Sequence, residues 1–380
     1  MRLLHTADWH IGRRLHGFDL TEEQENAFDQ IEKIALDEKV DGIIIAGDLY
    51  DRSMPAEDSV GVLNSMIERL NLKDKLPIYA ISGNHDSATR LSTGTKWFKQ
   101  SHFYLHTQLE EAFTPVELPD TQIFLLPYFE LFAAQQYFND DSIKQLDQAF
   151  KLISEKMKTL FDPNKKHILV AHFFADGSAT TDSEIKLTVG GLASVPVSLL
   201  KDFDYVALGH LHGKDALHAE RARYSGSPVK FSLSEANQKK GVYIIDTDPF
   251  NMTFKPITPI RDVQILTDSF DTLTDETFYD KQNLDNYFGI TLTDTKLIPN
   301  AMARLRNIYP NIISLTWENG LAGASDYDGE NGKEIRQKDP MDLLEEFYEK
   351  VANDTLTPQQ EKWAANALKE ANKPNAGGKN

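Results

Sequence analysis

The chain has 380 residues, 41% hydrophobic and 26% charged, an ordinary globular composition that excludes disorder throughout and suggests two or three domains at roughly 100–200 residues each. Its 58 acidic and 40 basic side chains leave a formal charge of −18, which argues against a basic nucleic-acid coat or a polybasic membrane binder. There is no cysteine, so disulfides, thiolate metal sites and cysteine nucleophiles are excluded.

A strand is predicted at residues 3–7, where a short apolar run meets Asp8 at once. That run is far shorter than the apolar core of a signal peptide. Residues 22–37 place Phe28, Ile31, Ile34 and Ala35 at helical spacing. The Ile-rich segment 42–46 reads as a strand covered on both faces. A helix at 60–70 and a strand at 78–81 follow. Further strands are predicted at 123–126, 168–171, 205–208 and 242–246. A long helix is predicted at 142–160, with Ile143, Leu146, Phe150, Ile153 and Met157 on one face. This βαβα order predicts an α/β core over residues 1–250, its sheet covered by helices. No run of about 20 apolar residues occurs, so no membrane span is expected and the chain reads as cytoplasmic.

Around Pro249, Pro256 and Pro259 the pattern changes. Residues 260–318 read as a small α+β capping domain, with strands at 263–270, 289–292 and 312–317 and helices near 275–286 and 300–308. The polar, Gly-rich stretch 319–338 suits a flexible linker. Residues 339–372 then carry two short helices. Asp339 caps the first, Pro340 opens it, and Met341, Leu344, Phe347, Tyr348 and Val351 form its apolar face. Thr357-Pro358-Gln359-Gln360 is a capping-box pattern that opens the second, ahead of Trp363, Ala367 and Leu368.

Five segments carry the chemistry, each just after a predicted strand: Asp8-Trp9-His10, Gly47-Asp48-Leu49-Tyr50-Asp51, Gly83-Asn84-His85-Asp86, Ala171-His172-Phe173 and Gly209-His210-Leu211-His212. Strand C-terminal ends are where open α/β sheets gather ligand loops. Asp-x-His and His-x-His in extended chain put both side chains on one side. Carboxylates, an amide oxygen and imidazoles together suit Mn, Fe or Zn better than Mg or Ca. A single His or Gly-Asp is usually a surface residue or a turn; five such segments point jointly to a metal site. Two ions about 3.5–4 Å apart clamp a phosphate and turn a bridging water into a hydroxide nucleophile near neutral pH. No protein nucleophile is then needed.

In these segments the chain resembles the calcineurin-like metallophosphoesterases, whose signature is Asp-x-His, Gly-Asp, Gly-Asn-His-Asp, His and Gly-His-x-His. Residues 3–12, 46–51, 82–87 and 224–228 are similar, within that family, to nuclease subunits of bacterial complexes related to double-strand-break repair nucleases. The resemblance covers the first 250 residues and implies a four-layer αββα sandwich. It implies that Asp8, His10, Asp48 and His212 hold one divalent ion and Asp48, Asn84, His172 and His210 the other, Asp48 bridging, with Mn2+ as the expected metal. His85 then protonates the leaving oxygen or stabilises the transition state, and Asp86 orients it. Archaeal relatives have a His near the position of Asp51, a departure that leaves a second catalytic imidazole without a counterpart here.

The implied activity is 3′→5′ exonuclease action on double-stranded ends and cutting of hairpins. The implied assembly is a nuclease homodimer within a heterotetramer, with the C-terminal helices gripping the coiled coil of an ATPase subunit. Helices after Asp51 and near Thr89 are the expected dimer contacts. Arg13, Arg14, His16 and Arg90 lie near the motif loops as candidate DNA contacts, and each reads equally well as a solvated surface residue. Two rivals stand beside the nuclease: an enzyme on a small-molecule or protein phosphate, and a non-catalytic DNA-end scaffold. The capping unit and tail argue against the first, the full ligand set against the second. With its acid excess, the isolated chain is expected to bind DNA weakly and to depend on metals, dimerisation and its partner.

Overall fold

The computed structural model describes residues 1–182, 184, 194–296, 298–318, 341, 342, 344, 345, 348 and 356–371. Four parallel strands open the chain: β1 (Arg2–Thr6), β2 (Gly42–Ala46), β3 (Ile78–Ile81) and β4 (Phe103–His106). Helices α1 (Thr21–Asp37) and α2 (Glu57–Glu68) connect the first three. A second sheet follows from β5 (Val116–Glu117), β6 (Thr121–Leu126), β7 (Lys166–His172), β8 (Tyr205–Gly209) and β9 (Ala222–Tyr224), in the order β9-β8-β7-β6-β5. Helices α3 (Leu131–Phe138) and α4 (Leu146–Lys158) lie between β6 and β7. The chain then returns to the first sheet through the hairpin β10 (Gly241–Thr247) and β11 (Phe250–Pro256), giving the order β11-β10-β1-β2-β3-β4.

Strand alternation sorts these residues into layers. Leu4, Ile43, Ile45, Ile78 and Ala80 face out of the first sheet onto Phe28, Ile31, Ala35, Leu63 and Met66 of α1 and α2. Their neighbours Leu3, Ile44, Ala46, Tyr79 and Ile81 face in, against Ile123, Leu125, Ile168, Val170, Tyr205 and Ala207 of the second sheet. On that sheet's far side, Phe124, Leu126, Leu169, Ala171, Val206 and Leu208 meet Phe150, Ile153 and Met157 of α4. Both sheets are therefore apolar on both faces, which is why the strands read as unbroken Ile, Leu and Val runs. Each such side chain, fully buried, contributes about 1.5–3 kcal/mol. The result is the expected αββα sandwich.

Four strands of the two sheets, β4, β5, β9 and β11, escaped the sequence pattern. β11 alternates half-buried and exposed residues and ends on Pro256, which a sheet edge tolerates. β4 is also an edge strand. The long helix begins at Leu146 rather than 142, because Asp140 Oδ1 accepts the Ser142 N–H (2.9 Å) and closes a turn there.

The capping region is a three-stranded sheet of β12 (Val263–Asp268), β13 (Tyr287–Leu292) and β14 (Ile312–Trp317). Instead of one helix near 275–286 there are two single turns, α5 (Phe270–Leu273) and α6 (Glu276–Tyr279), capped by the Ser269 and Asp275 side chains. A further short helix, α7 (Ala301–Arg306), precedes β14. Residues Met1–Leu292 and Asn300–Thr316 form one compact unit. Its seam is closed by Leu15, Leu20, Phe231, Val263 and Tyr287, by Arg261 on Glu22 and Glu23, and by Lys230 on Asp262 (2.8 Å).

The second unit comprises Thr293–Pro299 and Trp317–Asn380. Its helix α8 (Pro358–Ala371) starts with the predicted capping box, in which the Gln360 side chain accepts the Thr357 N–H (2.9 Å). Trp363 on it is exposed. The expected linker 319–338 and most of the first C-terminal helix lie outside the described residues. Among the described residues, no helix is long and apolar enough to cross a membrane.

Candidate metal centre

All five motif segments meet at one place, the C-terminal ends of the central strands of both sheets. Asp8 and His10 follow β1, Asp48 follows β2, and Asn84, His85 and Asp86 follow β3. His172 ends β7, and His210 and His212 follow β8. Asp8, His10, Asp48 and His210 have left-handed φ of 55°, 45°, 51° and 98°. Such backbone costs about 1–3 kcal/mol per residue and survives where surroundings enforce it. Here the Asp8 N–H donates to Gly47 O (3.0 Å) and the His10 N–H to Asp48 O (2.9 Å). Gly83 is required by a close approach: a Cβ there would collide with the Asp48 carboxylate.

The seven expected ligands touch one another. His10 Nε2 lies 3.1 Å from His212 Nε2. Asn84 Oδ1 lies 2.9 Å from His172 Nε2 and 2.8 Å from His210 Nδ1. Asp48 Oδ2 sits between the two groups, 3.3 Å from His172 Nε2 and 3.6 Å from His10 Nε2. Asp8, His10 and His212 each aim a donor atom within 4.8 Å of the others, and so do Asp8, Asp48 and His172.

This donor set fits divalent cations. Asp8 and Asp48 are 0% and 1% exposed, and Asp8 Oδ2 is buried without a hydrogen-bond partner. A buried, unpaired carboxylate oxygen is costly, and a cation satisfies it. Burial pushes the Asp8 carboxyl well above its ordinary value. Burial also raises Asp48, but His172, His10 and His85 together bring it below the usual range. Burial pulls His10 well down and His210 down to about 3, which keeps their lone pairs free. For His172 burial is outweighed by Asp48 and Asp8, which raise it to about 9. A proton there occupies a place that a metal ion contests.

His85, half-buried, stands beside this group, its ring 4.6 Å from that of His10. Its N–H donates to Asp48 Oδ1 (2.9 Å), and its ring Nδ1 is 2.7 Å from Asp51 O. The ring is thus oriented by the Asp51 carbonyl rather than by Asp86 as expected. Asp86 instead accepts the N–H groups of Leu49, Tyr50 and Gly83 at 2.9–3.1 Å, which ties the second and third loops together. Burial and the Asp48 charge push its carboxyl up to about 7.

The candidate DNA contacts divide. Arg13 lies at the centre, its Nη1 3.4 Å from Asp51 Oδ1 and its guanidinium over the Phe231 ring. Arg14 and His16 are exposed on a small hairpin, Arg14–Leu15 with Phe18–Asp19. Arg90 is exposed and lines a cavity of about 720 Å³ with Leu63 and Ile67 of α2. Sequence reasoning missed Phe231, Glu235 and Lys240, which back the imidazoles. No spacing marks them out, since they are brought in by a loop after β9 that carries no ligand.

A sandwich of this kind, with carboxylates and imidazoles meeting at its strand ends, is a metallophosphoesterase. Residues 1–214 match the model of the calcineurin-like phosphoesterases, and the chain belongs to that family of metal-dependent hydrolases. Residues 259–352 match a second model, described as the type 5 capsule protein repressor C-terminal domain. Over 363 residues the chain is 38% identical to the SbcD subunit of nuclease SbcCD from Staphylococcus epidermidis, covering 95% of this chain and 96% of that one. The chain is accordingly a member of the SbcD family of nuclease subunits. Among solved structures it is similar to TT1561 of Thermus thermophilus (12% identity, 68% of this chain and 99% of that, TM-score 0.40). It is also similar to a dimetal phosphatase from Danio rerio (11% identity, 67% and 95%, TM-score 0.39).

Proposed function

We propose that the protein is the nuclease subunit of an SbcCD-type complex, a Mn2+-dependent 3′→5′ exonuclease on double-stranded DNA ends that also cuts hairpins. The observation that carries this reading is the 38% identity, which runs through the capping region as well as the metal-binding core. A site of this class alone does not choose between a nuclease and a phosphatase; the likeness to a nuclease subunit extends over the cap as well.

Asp8, His10, Asp48 and His212 would hold one ion and Asp48, Asn84, His172 and His210 the other, Asp48 between them. Two bound divalent ions supply Lewis acidity toward a phosphate and an activated water. The chain's own residues do the rest. His85 is held by the Asp51 carbonyl and protonates the leaving 3′ or 5′ oxygen. Asp86 keeps the loops of β2 and β3 in register, so that Asp48 and His85 share one geometry. Arg13, steadied by Asp51 and Phe231, meets a backbone phosphate next to the centre. Arg14, His16 and Arg90 lie farther out and add weaker contacts.

The exposed Trp363 on a capped helix supports docking of an SbcC-type ATPase on the C-terminal helices. The apolar cavity beside α2 supports a nuclease dimer built there, within a heterotetramer. The test is incubation of the purified chain, with its ATPase partner, Mn2+ and a linear duplex. Shortening from the 3′ end is expected. Turnover of a generic phosphodiester with no shortening of DNA would overturn the nuclease reading and leave the hydrolase.

A further inference from the structure

The histidines of the centre differ in what stands behind them. His10 and His212 face each other through Nε2, so their Nδ1 atoms point away. Behind His212 Nδ1 lies Glu235 Oε1 at 3.6 Å, and behind His10 Nδ1 lies Asp51 Oδ1 at 4.0 Å. His172 instead turns Nδ1 to a backbone carbonyl, Ala46 O, at 2.9 Å, with the expected ligand Asp8 farther off at 4.0 Å. Carboxylates from outside the ligand set thus back His10 and His212 and not His172.

Glu235 is held firmly. It is 0% exposed, and its Oε1 accepts the Phe231 N–H (3.2 Å) and the Ser232 hydroxyl (3.1 Å). Its Oε2 accepts from Lys240 Nζ, itself buried. The same ammonium donates to His212 O (2.8 Å), Ser227 Oγ (2.9 Å) and Gln238 Oε1 (2.8 Å). One lysine therefore clasps both the carboxylate and the backbone of the histidine it faces. Buried ion pairs are poor sources of stability, because desolvation cancels most of the attraction. A pair kept here, against an imidazole, points to a task other than stability.

We infer that Glu235 is a positioning residue for the metal centre. Its carboxylate, 3.6 Å from His212 Nδ1, favours the tautomer that carries the proton there and leaves the Nε2 lone pair facing inward, and it is itself set by Lys240. The inference rests on the metallophosphoesterase reading of the same centre. A carboxylate behind a ligating imidazole orients the ring and raises its basicity, and its loss costs about 10–100-fold in metal affinity. Because His172 is backed by a carbonyl instead, the loss falls on the ion between His10 and His212.

The test is Mn2+ titration calorimetry on the full chain, with the melting temperature in chelator measured alongside. Wild type is expected to take up two ions. Glu235→Gln keeps the side-chain shape and is expected to weaken one of them about 10–100-fold and leave the other unchanged. It also takes from Lys240 the carboxylate it is paired with, so the metal-free protein melts lower. The double variant Glu235→Gln with Lys240→Met removes both charges. It is expected to recover much of the melting temperature but not the affinity, which a purely structural pair would not do. Wild-type affinity at both sites in either variant, or equal weakening of both ions, would overturn the inference. A wild-type chain that takes up no divalent ion would overturn the metal-centre reading itself.

Discussion

The two sheets bring different chemistry to the same point. The first supplies Asp8, His10, Asp48, Asn84, His85 and Asp86; the second supplies His172, His210 and His212. Both buried carboxylates of the centre come from the first, and the second offers imidazoles. Besides the Asn84 and His10 contacts already given, they are joined by Asp48 Oδ2 to His172 Nε2 (3.3 Å), the His210 N–H to Asp8 Oδ1 (2.9 Å), and His172 Nδ1 to Ala46 O (2.9 Å). One sheet alone carries surplus negative charge, the other surplus lone pairs. On the proposed assignment a cation would sit between residues of both sheets, which would link metal binding to the packing of the two sheets.

The sharpest break of this arrangement is Asp48→Asn, because Asp48 meets ligands of both sheets and the His85 N–H. On the proposed assignment, DNA hydrolysis in saturating Mn2+ is expected to fall by more than the roughly 10²–10³-fold typical of losing one oxyanion donor. Activity within tenfold of wild type would remove Asp48 from its bridging place. Next in size is Lys240→Met. Lys240, just before β10 of the first sheet, holds the backbone of His212 after the second. The substitution leaves Glu235 buried without its counter-charge, a change that costs about 3–5 kcal/mol. Urea unfolding is the measurement, and a loss below about 1 kcal/mol would mean that water reaches the pair.

The uneven division between sheets also explains what could be read from the sequence. β1, β2, β3, β7 and β8 are buried on both faces, so their apolar runs stood out, and every candidate ligand lies at or just after the end of one of them. The convergence of the candidate ligands was legible because strand ends impose short, ordered motifs. β11 was not, because an edge strand has one half-wet face and no continuous apolar signal. Glu235 and Lys240 were hidden for a related reason. Buried charges look like any surface Glu and Lys until a fold puts them beside His212. The role of Asp86 was misread because a neighbour in sequence, His85, turned its ring toward the Asp51 carbonyl instead.

If closure and metal binding are linked, divalent ions must stabilise the fold. Mn2+ at about 100 times its dissociation constant is expected to add about 2.7 kcal/mol for a single site. A rise in the thermal midpoint with Mn2+ that is lost in Asp8→Asn checks this, since Asp8 Oδ2 is buried without a hydrogen-bond partner. A midpoint indifferent to Mn2+ would mean that the closed sandwich does not bind the metal in preference to the open one.

The mildest probe is His5, which reports closure away from the ligands. It lies on β1, and its Nδ1 is 2.8 Å from the hydroxyl of Tyr205 on β8. Burial between the sheets pulls its pKa from 6.5 down to about 3. The unfolded chain therefore takes up a proton near pH 6.5, while the folded chain does not until about pH 3. Stability from this group is present in full above pH 6.5 and declines as pH falls from 6.5 toward 3, by at most about 1.4 kcal/mol per pH unit. His10 and His210 add slopes of the same sign in metal-free protein, so the informative quantity is a difference. Urea midpoints at pH 7, 6 and 5, compared between wild type and His5→Gln, isolate it. A shallower acid slope in the variant is expected. Equal slopes would show that His5 takes up its proton in the folded state, which the closed pair of sheets does not permit.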